Sequence, residues 1–452
     1  MTTTMRVVLD EVWAGGWDGF AIRHAWRSGA FSYELRRDFA DDVRWEAYGK
    51  EFSTDTLLHV DPAEEAGPDP ALIADLGPNC AALVAATRGF LERGRGEQVV
   101  LRSSQQRGMG VLANQHSSLP GSANGLHIVT AGGIRRHELA DEPESVVLDG
   151  LNLARAMTYK NVAAGIAAGG SKLVLCSDPL DPEALDDLGF VAYCIDAART
   201  MTGPDMGLAP RHADALIEHF TRNITGGERS VPTGPPTAHG VTLAIETILR
   251  HRRDNFDWSE ISVGVQGLGA VGRTLAEELL ERGATVVVAD VSPQRVDEFL
   301  AAHAGAAVSA VGPDEIVTAE VDVLSPAAVG GVIDEAMIGR LRCDALIGAA
   351  NNMLAADSPA EEQRLARLLA ERGIFFLTEW QLNVGGVLAG WEGWKHGEEA
   401  ALADVYAATE PRCTTVIADL LEDADKLGTT PTELAYARVD EVLGYPAQTP
   451  SR

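Results

Sequence analysis

The stretch from Ile261 to Asp290 reads ISVGVQGLGAVGRTLAEELLERGATVVVAD. Its apolar, β-branched beginning, Ile261–Val265, predicts a buried strand. A helix is predicted at Arg273–Arg282, and a second strand, Ala284–Ala289, ends at the acid. Between the first strand and the helix stands a glycine-rich turn, which comprises Gly267, Leu268, Gly269, Ala270, Val271 and Gly272. This order of strand, glycine turn, helix, strand and acid predicts a dinucleotide-binding site of the Rossmann type.

Each glycine of the turn has its own function in this prediction. Gly267 permits a tight turn, Gly269 lets the backbone approach a pyrophosphate, and Gly272 allows the helix to pack closely on the strand. Backbone N–H groups at the helix start would then point at the phosphates. All six turn residues are therefore predicted cofactor contacts. The alternative is an ordinary turn between strand and helix that binds no ligand.

Asp290 indicates which dinucleotide is bound. A carboxylate at the end of the second strand can accept hydrogen bonds from the ribose hydroxyls, and it would repel a 2′-phosphate. The sequence therefore predicts NAD rather than NADP. Ser292 and Arg295 are near enough in the chain to help bind a phosphate if the loop turned toward it, so NADP is the alternative.

The rest of the chain alternates between strand and helix patterns. Apolar runs at Val321–Leu324, Ala345–Ala349 and Ile374–Leu377 predict further strands. Alternation of this kind is typical of a parallel sheet with helices on both faces, so we predict an α/β fold. The region after Glu398 is expected to be mostly helical.

The first half of the chain is less regular. Helices are predicted at Ala71–Arg93 and at Glu144–Ala168, the second one ended by the glycine pair 169–170. Gln105–Gly125 is rich in Gly, Ser, Asn and Gln and is predicted to be an irregular connection. Val231–Thr237 carries three prolines and is predicted to be an interdomain loop.

Composition excludes several classes of protein. The 452 residues include 37 Lys and Arg against 66 Asp and Glu, which gives a formal net charge of −29. A surface this acidic repels nucleic acid and anionic membranes. The five cysteines are scattered without a Cys-x-x-Cys pair, as expected of reduced thiols in a cytoplasmic protein. We also expect no bound metal, no signal peptide and no membrane-spanning segment.

Several motifs before and after the Rossmann stretch occur in a recognisable order. They are Met157-Thr158-Tyr159-Lys160, Gly169-Gly170-Ser171-Lys172, Gly203-Pro204-Asp205-Met206-Gly207, Pro235-Pro236-Thr237-Ala238-His239-Gly240, Ser325-Pro326-Ala327-Ala328, Gly348-Ala349-Ala350-Asn351-Asn352 and Asn383-Val384-Gly385-Gly386-Val387. From about residue 126 to residue 395, the chain therefore resembles the glutamate/leucine/phenylalanine/valine dehydrogenase family. The resemblance is closest to the leucine dehydrogenase branch.

The resemblance implies oxidation of an L-amino acid to its 2-oxo acid and ammonia with NAD, the reverse reductive amination, and a homo-oligomer. It implies three catalytic residues, Lys160, Lys172 and Asp205. The implied substrate contacts are Gly132, Gly133, Met157, Lys160, Asn352 and Val387. The implied cofactor contacts outside the glycine turn and Asp290 are Thr237, Ala349, Asn351 and Asn383.

The chemistry of these residue types agrees with that reaction. Lys160 shares a helix face with Met157 and is a suitable partner for a substrate carboxylate. Desolvation and a neighbouring cation would lower the pKa of Lys172, and Lys160 is a candidate for that cation. A neutral Lys172 can activate the attacking water. Asp205 can exchange protons with the substrate nitrogen and hold Lys172, although it could also be a turn or cap residue.

The family pattern also implies a domain organisation. Residues 1–237 are predicted to form an α/β substrate-binding and oligomerisation domain of the dehydrogenase dimerisation type. Within it, residues 1–125 are an extended N-terminal part, longer than in leucine dehydrogenases. Residues 238–395 are predicted to be the NAD(P)-binding Rossmann domain. Residues 396–452 are predicted to be a helical segment that packs back on the first domain.

Departures from the family leave alternatives open. Gly203-Pro204 replaces the usual Ala-Glu before the aspartate, Glu379 replaces a usual Asp, and Trp391 lies in a segment that shapes the side-chain pocket. The substrate is therefore not fixed by the resemblance. One alternative is a biosynthetic enzyme that acts on an unusual oxo acid or couples substrates through an imine. The other is a non-catalytic, NAD-binding regulatory protein.

Overall fold

A computed structural model describes residues 3–40, 42–57 and 65–446. The chain divides into two compact units, each with its own sheet. The first unit contains the described residues up to Val162, Ala167–Ser230 and Gly393–Glu399, and the second contains Ala163–Ile166, Val231–Glu392 and the described residues from Ala400 on. The predicted α/β fold class is confirmed.

The first unit is built on an eight-stranded mixed sheet. Its strands are β1 (Gly19–Ala25), β2 (Ala30–Arg36), β3 (Glu65–Gly67), β4 (Gln98–Ser104), β5 (Met109–Ser117), β6 (Thr130–His137), β7 (Gly169–Cys176) and β8 (Thr200–Met201). Their order in the sheet is β3-β2-β1-β4-β5-β7-β6-β8. The pairs from β3 to β7 are antiparallel, whereas β6 runs parallel to both β7 and β8.

Helices cover both faces of this sheet. They are α1 (Met5–Ala14), α2 (Thr54–Leu57), α3 (Ala71–Ala74), α4 (Pro78–Gly94), α5 (Pro143–Ala163), α6 (Leu185–Ala197) and α7 (Pro210–His219). Strand β7 shows the two faces best, because its side chains alternate between two apolar clusters. Val174 and Cys176 pack in a cluster with α1, α4 and α5, while Leu173 and Leu175 pack in a cluster with α6 and α7. A strand buried on both faces reads as a continuous apolar run.

Three predictions for this unit are wrong in their boundaries or type. Gln105–Gly125 is not irregular, because it contains the whole of β5, which pairs with β4 and β7. Helix α5 ends at Ala163, and the glycine pair 169–170 begins β7 instead of ending the helix. Lys172 therefore lies within a buried strand. The predicted helix at Ala71–Arg93 is divided into α3 and α4, because Pro78 begins a new helix.

The second unit contains a six-stranded parallel sheet. Its strands are β9 (Ser262–Gln266), β10 (Thr285–Ala289), β11 (Val308–Ala310), β12 (Val321–Pro326), β13 (Cys343–Leu346) and β14 (Phe375–Phe376). Their order is β11-β10-β9-β12-β13-β14, and every adjacent pair is parallel. The strand order reverses between β9 and β12, which is where a doubly wound sheet binds its ligand. The predicted Rossmann arrangement is thus present.

Ten helices of the described chain accompany this sheet. They are α8 (Gly234–Arg252), α9 (Ala270–Glu281), α10 (Pro293–Ala302), α11 (Glu335–Ile338), α12 (Pro359–Glu371), α13 (Glu379–Leu382), α14 (Gly385–His396), α15 (Leu402–Cys413), α16 (Thr415–Leu427) and α17 (Pro431–Val442). Helix α8 begins inside the predicted loop Val231–Thr237, because a proline is well tolerated in the first turn of a helix.

The compact units differ from the predicted domain limits. The division falls after Ser230, so α8 belongs entirely to the second unit. The C-terminal helices also pack within the second unit: α15 and α16 contact α8, and Thr247 Oγ1 donates to Cys413 O at 3.2 Å. Packing of residues 396–452 on the first domain stays a prediction.

Candidate active site

A buried lysine and an aspartate form an ion pair in the first unit. Lys172 Nζ, on β7, donates to Asp205 Oδ2. Asp205 lies in the loop after β8, and its backbone N–H donates to Ile134 O on β6 at 2.9 Å. The Lys172 side chain is only 7% exposed, whereas the aspartate is one-third exposed. The sheet therefore places a nearly dry amine beside a carboxylate that solvent or substrate can reach.

The electrostatic surroundings shift both groups. Burial lowers the pKa of Lys172 by penalising the ammonium, and the Asp205 carboxylate only partly opposes this. Burial would raise the pKa of Asp205, but the charge of Lys172, the hydrogen bond from it and the charge of Arg135 together outweigh burial and lower that pKa to about 2. An amine with a lowered pKa next to an ionised carboxylate is suited to proton transfer.

Gly133 provides the space for this lysine. It pairs with Lys172 across β6 and β7, and a Cβ atom on it would lie 2.8 Å from Nζ. A Cβ atom on Gly132 would collide with the backbone carbonyl of Ser171. The glycine pair thus has a packing purpose that its sequence position did not reveal. Its predicted contact with substrate stays a prediction.

Helix α5 carries the predicted carboxylate-binding face. Met157 and Lys160 are partly buried and lie on one side of the helix, three residues apart. Asn161 fixes the helix end, since its Nδ2 donates to Ala131 O at 3.1 Å and to Gly169 O at 2.8 Å. The C-terminal turn that holds Lys160 is therefore tied to the starts of β6 and β7.

Arg135 is a site residue that sequence reasoning missed. Its Nη2 and Nε lie 2.9 Å and 3.1 Å from Asp205 Oδ2. Its charge also acts on Lys172, a role for which the sequence suggested Lys160 as the candidate. A sequence signal for Arg135 was its spacing from Gly133. The two residues are two positions apart, so in a strand they share one face, and a role for Gly133 at the site implies that Arg135 lies near it.

The glycine turn in the second unit has the geometry that a dinucleotide requires. Gly267 adopts a φ of +96°, which favours glycine, and Gly269 stands immediately before α9. A Cβ atom on Gly269 would have no described heavy atom within 4 Å, so the space in front of this backbone is open. A Cβ atom on Gly272 would collide with Gly267 O. These residues fit a pyrophosphate at the start of the helix.

Asp290 is hydrogen-bonded to the backbone of this turn. Its Oδ2 accepts from the backbone N–H of Leu268 at 2.7 Å, and its Oδ1 accepts from that of Ser292 at 2.8 Å. Burial would raise its pKa, but these hydrogen bonds and the Arg295 guanidinium lower it. The carboxylate is therefore ionised and holds the turn in shape, a structural role that sequence reasoning did not foresee.

The remaining predicted cofactor residues divide into two groups within the second unit. Asn383 Nδ2 donates to Ala349 O at 3.0 Å and to Asn351 Oδ1 at 3.1 Å, which joins the segment after β13 to that before α14. Thr237 belongs to α8, where its Oγ1 donates to Thr233 O, just before the helix, at 2.7 Å. The same oxygen lies 3.0 Å from the position that a Cβ atom on Gly386 would occupy, so Thr237 borders the segment that follows Asn383.

The two predicted substrate residues of the second unit are also placed. Asn352 has a φ of +51°, and its backbone N–H donates to Glu379 Oε1 at 2.9 Å. Val387 is half-buried in α14. Glu379, which replaces the aspartate usual in leucine dehydrogenases, therefore supports the backbone next to Asn351.

Two other kinds of feature, a metal site and a membrane span, were considered for the sequence, and the described residues bear on both. In that part of the chain, no three His, Cys, Asp or Glu residues are grouped so as to hold a metal ion. Over the same residues, every helix is too short or too polar to cross a membrane.

Comparison with known proteins identifies what the chain is similar to. Residues 262–388 match the NAD binding domain of 6-phosphogluconate dehydrogenase, which confirms the prediction of an NAD site. A leucine dehydrogenase of Thermoactinomyces intermedius is 30% identical over 306 residues, 66% of this chain and 78% of that protein. A valine dehydrogenase of Streptomyces virginiae is 34% identical over 309 residues, 66% of this chain and 80% of that protein.

Solved structures of amino acid dehydrogenases are also similar to this chain. The crystal structure of L-tryptophan dehydrogenase from Nostoc punctiforme superposes with a TM-score of 0.66 at 25% identity, over 79% of this chain and 98% of that one. A hetero-hexameric glutamate dehydrogenase from Thermus thermophilus, at 20% identity, has a TM-score of 0.57 over 83% of this chain and 97% of that one, and thus shares the fold.

Proposed function

This chain belongs to the family of amino acid dehydrogenases represented by leucine and valine dehydrogenases, and we propose its reaction and its residue roles from that premise. It is an NAD-dependent oxidoreductase that converts an L-amino acid to the 2-oxo acid and ammonia, and that runs the reverse reductive amination. The observation that carries the proposal is the buried Lys172–Asp205 pair. A surface lysine would have neither the lowered pKa nor the fixed partner.

Each proposed role follows from the position of the group. Lys172 in its neutral form takes a proton from the water that attacks the substrate carbon. Asp205, which is ionised and partly accessible, exchanges protons with the substrate nitrogen. Lys160, on the anchored end of α5, binds the substrate carboxylate through its ammonium, with Met157 beside it. Gly132, Asn352 and Val387 are proposed substrate contacts.

NAD supplies the hydride acceptor when it is bound. The residues proposed to hold it are the turn Gly267–Gly272, Asp290, Thr237, Ala349, Asn351 and Asn383. The open backbone at Gly269 supports an approach of the pyrophosphate, and the ionised Asp290 supports NAD over NADP by charge.

The substrate class and the assembly are further parts of the proposal. The relatives are named for leucine, valine and tryptophan, so an apolar side chain is the proposed substrate class. We also propose a homo-oligomer, which light scattering on the purified protein would measure. A cytoplasmic location is supported by the five cysteines, all of them free and buried.

The paired lysine and aspartate also weigh against a regulatory protein that merely binds NAD. Such a protein has no need for a desolvated amine, which costs folding free energy. The test is NADH oxidation with a panel of 2-oxo acids. Consumption that requires both an oxo acid and ammonia supports the proposal, whereas NADH binding without consumption for any oxo acid supports the regulatory alternative.

A further inference from the structure

Charged side chains form a row along one face of β6. Gly133, Arg135 and His137 are alternate residues of the strand and therefore share that face. Arg136 points the other way, and its Nη1 donates to Ser177 O at 2.8 Å. Gly133 pairs with Lys172 on the neighbouring strand β7. Arg135 and His137 therefore follow the proposed base along this face of the sheet.

Arg135 bridges two carboxylates with the two sides of its guanidinium. Nε and Nη2 reach Asp205 Oδ2, while Nη1 lies 3.1 Å and 3.0 Å from the two oxygens of Asp149, a residue of α5. The arginine side chain is only 17% exposed. Forked contacts of this kind fix orientation better than a single ammonium contact does.

A histidine supports the far end of the row. His137 Nε2 lies 3.2 Å from Asp149 Oδ2, and Nδ1 lies 2.9 Å from Asp141 Oδ2. The pKa of His137 is raised, and the hydrogen bond with Asp149 is the largest cause. Asp149 is therefore held between Arg135 and His137, and it in turn keeps the guanidinium in place.

We propose that Arg135 is a positioning residue for catalysis, which orients the Asp205 carboxylate on Lys172 Nζ and places a second positive charge beside this pair. The inference rests on the proposed function, because it gives the Lys172–Asp205 pair its catalytic meaning. Arg135 is not among the predicted site residues. Its proposed role is to orient Asp205, which is distinct from binding substrate or cofactor.

The expected effect of its charge has a definite sign. The charged groups that act on Lys172 include Asp205, Arg135 from β6 and Asp149 from α5. Arg135 in turn contacts Asp205 and Asp149, and His137 contacts Asp149 and Asp141. Arg135 lowers the pKa of Lys172 by repulsion between cations. Its removal should therefore raise that pKa and reduce the fraction of neutral amine at a given pH.

The test uses the full chain with the substitutions Arg135→Met, Arg135→Lys and, as matched control, Arg136→Met. Two quantities are measured against pH: kcat/KM for an accepted L-amino acid, and the rate at which acetic anhydride acetylates Lys172, read by peptide mass spectrometry. The second measurement needs no turnover. The exposed Lys50 is the internal reference for reagent and folding.

Arg135→Met should move the acidic limb of kcat/KM and the acetylation midpoint of Lys172 to higher pH. It should also lower kcat/KM at neutral pH by about tenfold or more. Arg135→Lys keeps the positive charge but loses the two-sided guanidinium contacts with Asp205 and Asp149. The acetylation midpoint of Lys172 should therefore stay near that of the wild type, whereas kcat should still fall, with little change in KM. Arg136→Met should match the wild type in both measurements.

Two results would overturn the inference. An unchanged acetylation midpoint in folded Arg135→Met would remove the electrostatic role, and full kcat in Arg135→Lys would remove the positioning role. If Arg135→Met does not fold, Arg135→Gln replaces it, with the same expectation. Failure of the proposed function is recognised separately, as absence of wild-type turnover on every L-amino acid, and the acetylation measurement then still decides the effect of Arg135 on Lys172.

Discussion

The Nζ atom of Lys172 lies 2.8 Å from the position that a Cβ atom on Gly133 would occupy. The two residues face each other across the parallel strands β6 and β7. The amine is thus packed against backbone on one side and bonded to Asp205 on another. This close approach explains why the lysine loses its hydration, which is the cause of its lowered pKa.

Substitution of Gly133 should damage the reaction more than the fold. In Gly133→Ala the new methyl group would displace the Lys172 amine, so we expect kcat to fall by about tenfold or more, with a small change in Tm. Gly67→Ala is the matched control, because Gly67 is also a strand glycine of this sheet and its Cβ would meet no described atom within 4 Å. Wild-type kcat in Gly133→Ala would contradict the packing argument.

Removal of the proposed base should separate catalysis from cofactor binding. Lys172→Ala is expected to lower kcat/KM by roughly 10²- to 10⁴-fold, the usual contribution of a general base. NADH affinity, measured by fluorescence titration, should stay near that of the wild type, since the glycine turn is untouched. Lys50→Ala removes an exposed lysine of the same unit and is the control. Substantial activity in Lys172→Ala would sink the proposed mechanism.

Asp205→Asn should shift the pH dependence opposite to Arg135→Met. The Asp205 carboxylate raises the pKa of Lys172, so the amide variant should lower it further. The acidic limb of kcat/KM should move to lower pH while the maximal rate falls, because the proton exchange at nitrogen is lost. Asp10→Asn, at an exposed carboxylate, is the control. A limb that moves to higher pH would show that another group titrates.

Two glycines of the Rossmann turn should fail in different ways. Gly269→Ala places its methyl group in open space, so Tm should stay unchanged while NAD binds about tenfold or more weakly, because the pyrophosphate needs that space. Gly272→Ala should instead lower stability by about 1–3 kcal/mol, because its Cβ collides with Gly267 O. Thermal unfolding and NADH titration distinguish the two. Unaltered NAD affinity in Gly269→Ala would place the pyrophosphate elsewhere.

The Rossmann half of the chain was largely predictable, and the reason is local. A glycine turn, the strand before it and the acid after the next strand are consecutive in sequence, and each has a distinct backbone requirement. The predicted strand at Ile261–Val265 corresponds to Ser262–Gln266, and the predicted run Ala284–Ala289 to Thr285–Ala289. The match of residues 262–388 to an NAD binding domain agrees with that.

The first half was harder because its structure depends on distant pairing. Met109–Ser117 is polar enough to resemble a loop, yet it is a strand because β4 and β7 lie on either side of it. The glycine pair 169–170 suggested a helix end, but both glycines are the first residues of β7 and pair with β6. Arg135 escaped notice for the same reason, since nothing in the sequence shows that Asp205 and Asp149 meet on its strand face.

The most direct test of the proposed reaction is NADH formation by the purified protein at alkaline pH across a panel of L-amino acids, with NADP in parallel. Alkaline pH increases the neutral fraction of Lys172, whose pKa is lowered by burial, so the oxidative direction should be readily observed. We predict turnover of aliphatic or aromatic L-amino acids with NAD, abolished in Lys172→Ala and retained in Lys50→Ala. NAD binding without turnover of any L-amino acid would contradict the account.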